Sequence, residues 1–406
     1  MKKLIGIHLV AACIAAAAIA GCSKAGFSID GPGGYYDSEK APAAPSGDFY
    51  DIGGEGREGN MHDPFVSGVV TAAEWNDIAN WSFWASLLNG QEWTTHSSYW
   101  NYFPYNYVYV KVVDDKDAPV CGAKVVLEQQ GSKVWSAVSD NNGAAVLWAS
   151  LYESSFKQDA SAFTLKIDGK SYDDFVFTTP SSSEVVVNKY VLRTRASNNA
   201  IDVAFIVDAT GSMGDEIGFL KKDLEDIIKL VAQQCTATVR TGTVFYRDQD
   251  DEYITKYSQF TTNLRDTRTF IEKQEAMGGG DWPEAVHTAL ATGIQSLRWD
   301  SSARSRVAFL ILDAPPHHEE DIISSCQKSI EAYAAAGIKI VPVAASGIDK
   351  ACEYLLRSFA LSTNGTYVFI TDDSGVGNDH IEATVGKYQV EKLRDLIARL
   401  IIAYAK

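Results

Sequence analysis

In residues 202–214, Asp-Val-Ala-Phe-Ile-Val-Asp-Ala-Thr-Gly-Ser-Met-Gly, an apolar run ends in Asp208, and hydroxyl residues follow at alternate positions, Thr210 and Ser212. A buried strand that ends this way delivers three oxygen donors to one point at its C-terminal tip. A hard divalent cation such as Mg²⁺ takes oxygen ligands in near-octahedral geometry and usually keeps several waters. The competing reading makes Asp208 and Ser212 helix caps after a buried strand.

Other groups invite chemistry less sharply. His317, His318, Glu319, Glu320 and Asp321 are consecutive. A zinc site can be drawn from them, but acidic residues opening a helix also suit its dipole, and adjacent histidines do not readily share one tetrahedral ion. Arg247, Asp248, Asp250 and Asp251 fall on an acidic loop that could hold a second cation weakly. Ser374-Gly-Val-Gly-Asn-Asp-His380 contains two glycines but lacks the full Gly-x-Gly-x-x-Gly run and reads as a turn. No Ser-His-Asp arrangement and no HExxH motif appear.

The elements that must position these residues alternate. Apolar runs of strand length (203–207, 240–246, 307–312, 338–344 and 366–370) are separated by helical stretches (216–234, 263–275, 283–297, 321–336, 348–362 and 390–403). This predicts an α/β doubly wound, mostly parallel sheet, Rossmann-like, over residues 196–406, with ligands beyond the strand C-termini. Residues 105–195 read as an all-β sandwich, with short β-branched strands between turns such as Asp140-Asn-Asn-Gly143. Residues 61–104 are an aromatic-rich segment. A helix is predicted over 71–88, with Thr71 and Glu74 forming a capping box and Trp75, Ile78, Trp81 and Trp84 along one stripe, followed by a loop-like stretch through Phe103. That stripe is either a sugar-stacking surface or a small packed core, and helical spacing favours the core.

The N-terminus reads as an address. Lys2 and Lys3 precede an apolar stretch that runs to Ala20, as in a secretory signal. Residues 22–60, rich in Gly, Ser, Pro, Ala and Asp, predict a flexible tether. The formal net charge is −16, and loss of the signal makes it more negative. That argues against nucleic acid, whose phosphates need a basic footprint, and against electrostatic adhesion to anionic lipid. Cys121, Cys235, Cys326 and Cys352 show no CxxC spacing. They are either buried free thiols or, for Cys326 and Cys352, a bridge.

Three resemblances add to this reading. Ile19-Ala20-Gly21-Cys22 resembles a bacterial lipobox, which implies a signal peptide over 1–21, lipidation of Cys22 and a lipid-anchored protein of the cell envelope, outer membrane rather than inner. Pro119-Val-Cys-Gly-Ala-Lys-Val-Val-Leu with Ser139-Asp-Asn-Asn-Gly-Ala-Ala-Val-Leu-Trp resembles the transthyretin-like, carboxypeptidase-regulatory-like sandwiches and implies a spacer domain. Asp208-Ala-Thr-Gly-Ser-Met resembles the first motif of von Willebrand factor type A (vWA) domains, which builds a metal-ion-dependent adhesion site. The later loops of that family correspond to Gly278-Gly279-Gly280-Asp281 and to Asp313, which closes the run Phe309-Leu-Ile-Leu. The resemblance thus implies Asp208, Thr210, Ser212, Asp281 and Asp313 around one divalent cation, Mg²⁺ first and Ca²⁺ or Mn²⁺ as alternatives. Arg247, Asp248, Trp282, His317 and His318 would line the rim of a face that binds a protein partner. Asp281 stands where the family usually has threonine. Three carboxylates against one divalent ion leave an excess negative charge, which implies tight metal retention and a weak appetite for an acidic partner. The expected function is therefore binding rather than catalysis. The alternatives are a structural envelope protein with a stabilising metal, or a Mg²⁺-dependent phosphohydrolase, which would need a second aspartate where Thr210 stands.

Overall fold

The computed structural model describes residues 70–154, 160–372 and 381–406. The predicted signal, Cys22, the tether and the Ser374–His380 loop lie outside the described residues. No helix among the described residues is long and apolar enough to cross a membrane.

The chain opens with β1 (Thr71–Trp75), α1 (Trp81–Leu87) and α2 (Gln91–Trp100). The sandwich follows, formed by β2 (Tyr107–Val113), β3 (Lys124–Gln129), β4 (Ser132–Val138), β5 (Ala144–Trp148), β6 (Phe163–Ile167), β7 (Lys170–Tyr172) and β8 (Val187–Val191). Next come β9 (Asn198–Asp208), α3 (Gly214–Gln234), β10 (Thr238–Tyr246), β11 (Thr255–Thr261), α4 (Leu264–Glu272), α5 (Val286–Gln295) and β12 (Ala303–Leu312). The chain finishes with α6 (Glu320–Ala335), β13 (Ile338–Ala344), α7 (Lys350–Ser362), β14 (Tyr367–Thr371), β15 (Glu391–Lys392) and α8 (Leu393–Ala405).

One eight-stranded sheet has the order β11-β10-β9-β12-β13-β14-β1-β15. Its five central strands, β10, β9, β12, β13 and β14, are parallel neighbours, and β11, β1 and β15 pair antiparallel at the edges. Strands β9, β12 and β13 bury nearly every residue because helices cover both faces. This is the doubly wound α/β fold that the apolar runs imply.

The predicted helix over 71–88 does not form as such. Thr71–Trp75 is a strand paired with β14, in the register Thr71↔Thr371 to Trp75↔Tyr367. The local capping signal yields to the ladder offered by β14, which satisfies the backbone while burying Ala72, Ala73 and Trp75. Glu74 caps nothing and instead accepts from Arg399 at 2.8 Å. Helix begins only at Trp81. The loop-like stretch after it contains α2, which ends at Asn101 in the left-handed conformation, φ 53°. Thus the first strand of the sheet precedes the sandwich in sequence, and the sandwich is inserted between β1 and β9.

The sandwich packs a three-stranded sheet, β5-β2-β8, against a four-stranded one, β4-β3-β6-β7. It is not hung on a linker. Val125, Leu165 and Trp148 belong to the same continuous core as Ile330, Tyr333 and Leu355 on one face of the large sheet. Polar ties reinforce that contact: Lys339 Nζ donates to Asp140 Oδ2 at 2.8 Å, and the Tyr152 hydroxyl donates to the carbonyl of Gln327 at 3.1 Å. The opposite face packs a second core beneath α3 and α8, including Phe205, Leu220, Phe309 and Ile397.

The tryptophan stripe is core and not a stacking surface: Trp81, Trp84, Trp93 and Trp100 are all buried. Trp100 Nε1 donates to the carbonyl of Ala351 at 2.7 Å, fastening α2 to α7. Cys121, Cys235, Cys326 and Cys352 are free, the last two buried.

Candidate metal centre beyond the parallel strands

Asp208 is the last residue of β9 and is fully buried. Its Oδ1 accepts from the backbone N–H of Thr210 at 2.9 Å and from the Thr210 hydroxyl at 2.7 Å. Its Oδ2 is buried without a hydrogen-bond partner. Asp313 follows the last residue of the neighbouring parallel strand β12 and is 5 % exposed, with Oδ1 likewise unpartnered. Ser212, on the exposed turn before α3, bonds to the Asp313 carboxyl and favours its charged form.

The structure adds a residue that sequence reasoning passes over. Glu284 is 4 % exposed, and its Oε2 has no partner. Sequence periodicity places it in the first turn of a helix that starts at Pro283. It lies instead in an extended bridge beside Pro316, its N–H donating to the carbonyl of Pro315 at 2.9 Å, and α5 begins only at Val286. An acidic residue three places after Asp281, beside the Asp313 loop, was the available signal.

These three carboxylates destabilise one another. Burial pushes Asp208 up to about 7, with the Asp313 charge adding to it and the Thr210 bonds opposing it. Burial raises Glu284 further, to about 9, reinforced by Asp208, Asp248, Asp313 and Asp251. Burial also raises Asp313. Each needs either a proton or a cation.

The glycine loop is stitched to this centre. Met277 N–H donates to Ala209 O at 3.0 Å, and Gly211 N–H donates to Gly278 O at 3.1 Å. Gly279 N–H donates to Asp251 Oδ2 at 3.0 Å. Gly278 has φ 84°, and a Cβ there would sit 2.1 Å from Asp251 Oδ1, so the approach requires glycine. A Cβ on Gly279 would meet Glu284 Oε1 at 2.9 Å and Thr210 Cβ at 3.3 Å. Loop, Thr210 and Glu284 therefore close around the same space.

The remaining expected residues divide. Asp281 is exposed and groups with Asp248 and His317, its ligand atom and theirs lying within 4.8 Å of one another. Neither Asp208, Asp281 and Asp313 nor Asp208, Asp313 and Glu284 form such a group among the described residues. Arg247, expected on the rim, is only 6 % exposed; it braces the loops from within, Nε donating to Ala209 O at 3.2 Å and Nη2 to Glu275 O at 2.9 Å. His317 Nε2 and Asp248 Oδ1 are 2.8 Å apart. His318 turns away, stacks on Tyr99 with ring centroids 3.6 Å apart, and bonds to its carbonyl oxygen. Trp282 is 46 % exposed, the large aromatic side chain nearest Asp281 in sequence.

By donor type and burial the inner set suits a divalent cation, although its carboxylates must draw together to share one. The donors are all oxygen, as Mg²⁺ requires, and three buried carboxylates carry orphaned oxygens in mutual repulsion. Asp208, Asp313 and Glu284, with the hydroxyls of Thr210 and Ser212, are the residues that would hold it. When bound, such an ion supplies positive charge and coordination positions that water or a partner can take.

Residues 202–375 match the von Willebrand factor A domain family. Among curated proteins, the chain is 33% identical over 122 residues to an ariadne-like RING finger protein, R811, of Acanthamoeba polyphaga mimivirus, a match covering 30% of this chain and 12% of that protein. It is 30% identical over 136 residues to the alpha-protein kinase vwkA of Dictyostelium discoideum, covering 32% of this chain and 21% of that protein. The chain thus spans 12% and 21% of the length of these relatives. Among solved structures, it superposes loosely on the pilus adhesin SpaC from Lactobacillus rhamnosus GG, with TM-score 0.36, 10% identity, and 51% of this chain against 31% of that one. It also superposes loosely on the conserved hypothetical protein BatB from Bacteroides thetaiotaomicron, with TM-score 0.33, 15% identity, and 51% of this chain against 98% of that one. Most of the doubly wound α/β sheet and the loop that carries Asp208, Thr210 and Ser212 thus lie in the part of the chain, residues 202–375, that is similar to von Willebrand factor A domains.

Proposed function

We propose that this chain is a lipid-anchored cell-envelope protein that binds a protein partner through a divalent cation held beyond the C-terminal ends of β9 and β12. The supporting observation is the inner set of three buried carboxylates, each with an unpartnered oxygen. Asp208, Thr210, Ser212 and Asp313 hold the ion with Glu284, and Mg²⁺ is the preferred occupant. Asp281, Asp248, Trp282 and His317 belong to the surrounding face that meets the partner. Cys22 carries the lipid, and the anchored leaflet is the outer membrane. The role is recognition and not turnover: Thr210 occupies the position where a phosphohydrolase of the aspartyl type needs its second carboxylate, and its hydroxyl is committed to Asp208.

A second reading has its own support. Asp208, Asp313 and Glu284 are nearly inaccessible, so an ion there could stabilise the fold without touching a partner. Capture of a partner from native envelope with immobilised protein, in Mg²⁺ and in EDTA, separates the two. Recognition through the metal predicts capture lost in EDTA and in Asp208→Asn, restored by Mg²⁺ in wild type only. Capture that persists in EDTA, together with a Mg²⁺-dependent melting temperature, supports the stabilising role.

A further inference from the structure

Three strand-end loops converge beside the inner centre. Asp248 comes from the loop after β10, Asp281 from the glycine loop and His317 from the loop after β12, and one ligand atom from each lies within 4.8 Å of the other two. Asp248 is 7 % exposed, and its Oδ1 is already 2.8 Å from His317 Nε2. A further imidazole is electrostatically coupled to this group. His287, in the first turn of α5, has a buried Nδ1 with no partner, and the charges acting on it are those of His317, Asp321, Asp248 and Glu319. On the inner side stands Glu284, buried with an unpartnered Oε2 and acted on by Asp248 and Asp251.

Donor chemistry separates this group from the inner one. Ligand atoms about 2.1 Å from a common ion lie at most about 4.2 Å apart, so the spacing closes with small rotamer shifts. Imidazole beside carboxylates suits zinc and its transition-metal neighbours, whereas an all-oxygen set suits Mg²⁺. We propose that Asp248, Asp281 and His317 form a second cation site, selective for a transition-metal ion of the zinc type, with the fourth position taken by water. The site does not require the inner one to be loaded. Its ion ties the loop of Asp248 to the segments of Asp281 and His317, which the Glu284–Pro316 bridge already joins to each other, and it fixes Trp282 beside Asp281.

Co²⁺ is the probe, because bound in a low-coordinate site it gives a visible absorption band that Mg²⁺ cannot mimic. Full-length protein in detergent with excess Mg²⁺ is titrated with Co²⁺ and then with Zn²⁺. The expected result is one equivalent of Co²⁺ giving the band and Zn²⁺ abolishing it. His317→Gln and Asp281→Asn each weaken Co²⁺ binding at least tenfold, His317→Gln leaves Mg²⁺ binding unchanged, and Asp208→Asn keeps the band. If His317→Gln does not fold, the exposed Asp281→Asn carries the test. No band in excess Mg²⁺, a band that survives Asp281→Asn at wild-type affinity, or a band lost only in Asp208→Asn overturns the proposal. The last of these outcomes would place the ion in the inner site and leave that site's own reading standing.

Discussion

Arg357 grips Asp77 across 280 positions of sequence, Nε to Oδ2 at 2.9 Å and Nη2 to Oδ1 at 2.5 Å, with both side chains buried. The same guanidinium donates to Glu353 Oε1 at 3.2 Å and lies over the rings of Trp84 and Trp93 at 5.0 and 4.7 Å. The aromatic segment before the sandwich is thereby locked to α7 of the large sheet. Such a pair is costly to break singly, because Arg357 would keep only Glu353, a buried carboxylate that Lys350 also claims at 2.9 Å. Asp77→Ala should therefore cost about 3–5 kcal/mol, measured by denaturant unfolding. A loss below about 1 kcal/mol would mean that the pair is solvated in the native protein.

Proton linkage gives a second expectation. Glu284 and Asp208 have folded-state values raised to about 9 and about 7. Below the ordinary carboxylate range, folded and unfolded states are equally protonated. Above it, the metal-free folded state binds more protons, so stability falls with rising pH until each group ionises in the folded state, at about 7 for Asp208 and about 9 for Glu284. A divalent ion removes that penalty by replacing the protons. The gap between melting temperatures in Mg²⁺ and in EDTA should widen from pH 6 to pH 9. A constant or shrinking gap would place the ion elsewhere.

Glu284→Gln separates charge from shape. The amide relieves repulsion among the inner carboxylates, so the metal-free melting temperature should rise. It also withdraws one anionic donor, so Mg²⁺ affinity should drop at least about tenfold, or 1.4 kcal/mol. Calorimetric titration reads the affinity and a thermal scan in EDTA reads the stability. Unchanged affinity would show that Glu284 only lines the wall.

Gly278→Ala tests the loop. Its positive φ and the closeness of Asp251 leave no room for a Cβ. Left-handed strain alone costs about 1–3 kcal/mol, and the displaced carboxylate adds to it. Metal retention should fall with stability, whereas Gly280→Ala, where a Cβ meets nothing within 4 Å, should change little.

Trp282→Ala probes the outer face. The side chain is 46 % exposed, so stability should shift by no more than about 0.5 kcal/mol. Partner capture should weaken while Mg²⁺ binding stays at the wild-type level. Undiminished capture would remove Trp282 from the contact surface.

The parallel strands were legible because each is an uninterrupted apolar run, and a strand buried on both faces has no other way to be written. β11, with Thr-Lys-Tyr-Ser-Gln-Phe-Thr, escaped notice because an antiparallel edge strand carries polar residues at most positions. β1 was misread because Thr71 and Glu74 offer a helix start locally, and only β14 overrules it. Asp208, Thr210 and Ser212 could be proposed from a strand end, and Asp313 from the family resemblance. Glu284 could not, since its extended backbone depends on a bridge to Pro316 made by a different part of the chain. The partition of Asp281 toward Asp248 and His317 is equally non-local.

The direction of β1 has a mechanical consequence. It runs antiparallel to β14, so Thr71 lies opposite Thr371, at the end of the sheet where the parallel strands finish. Val70, the residue before β1, thus lies on the same side as the loops that carry Asp208 and Asp313. A pull applied at Val70 would bear first on that end of the sheet, and not on the end where the parallel strands begin.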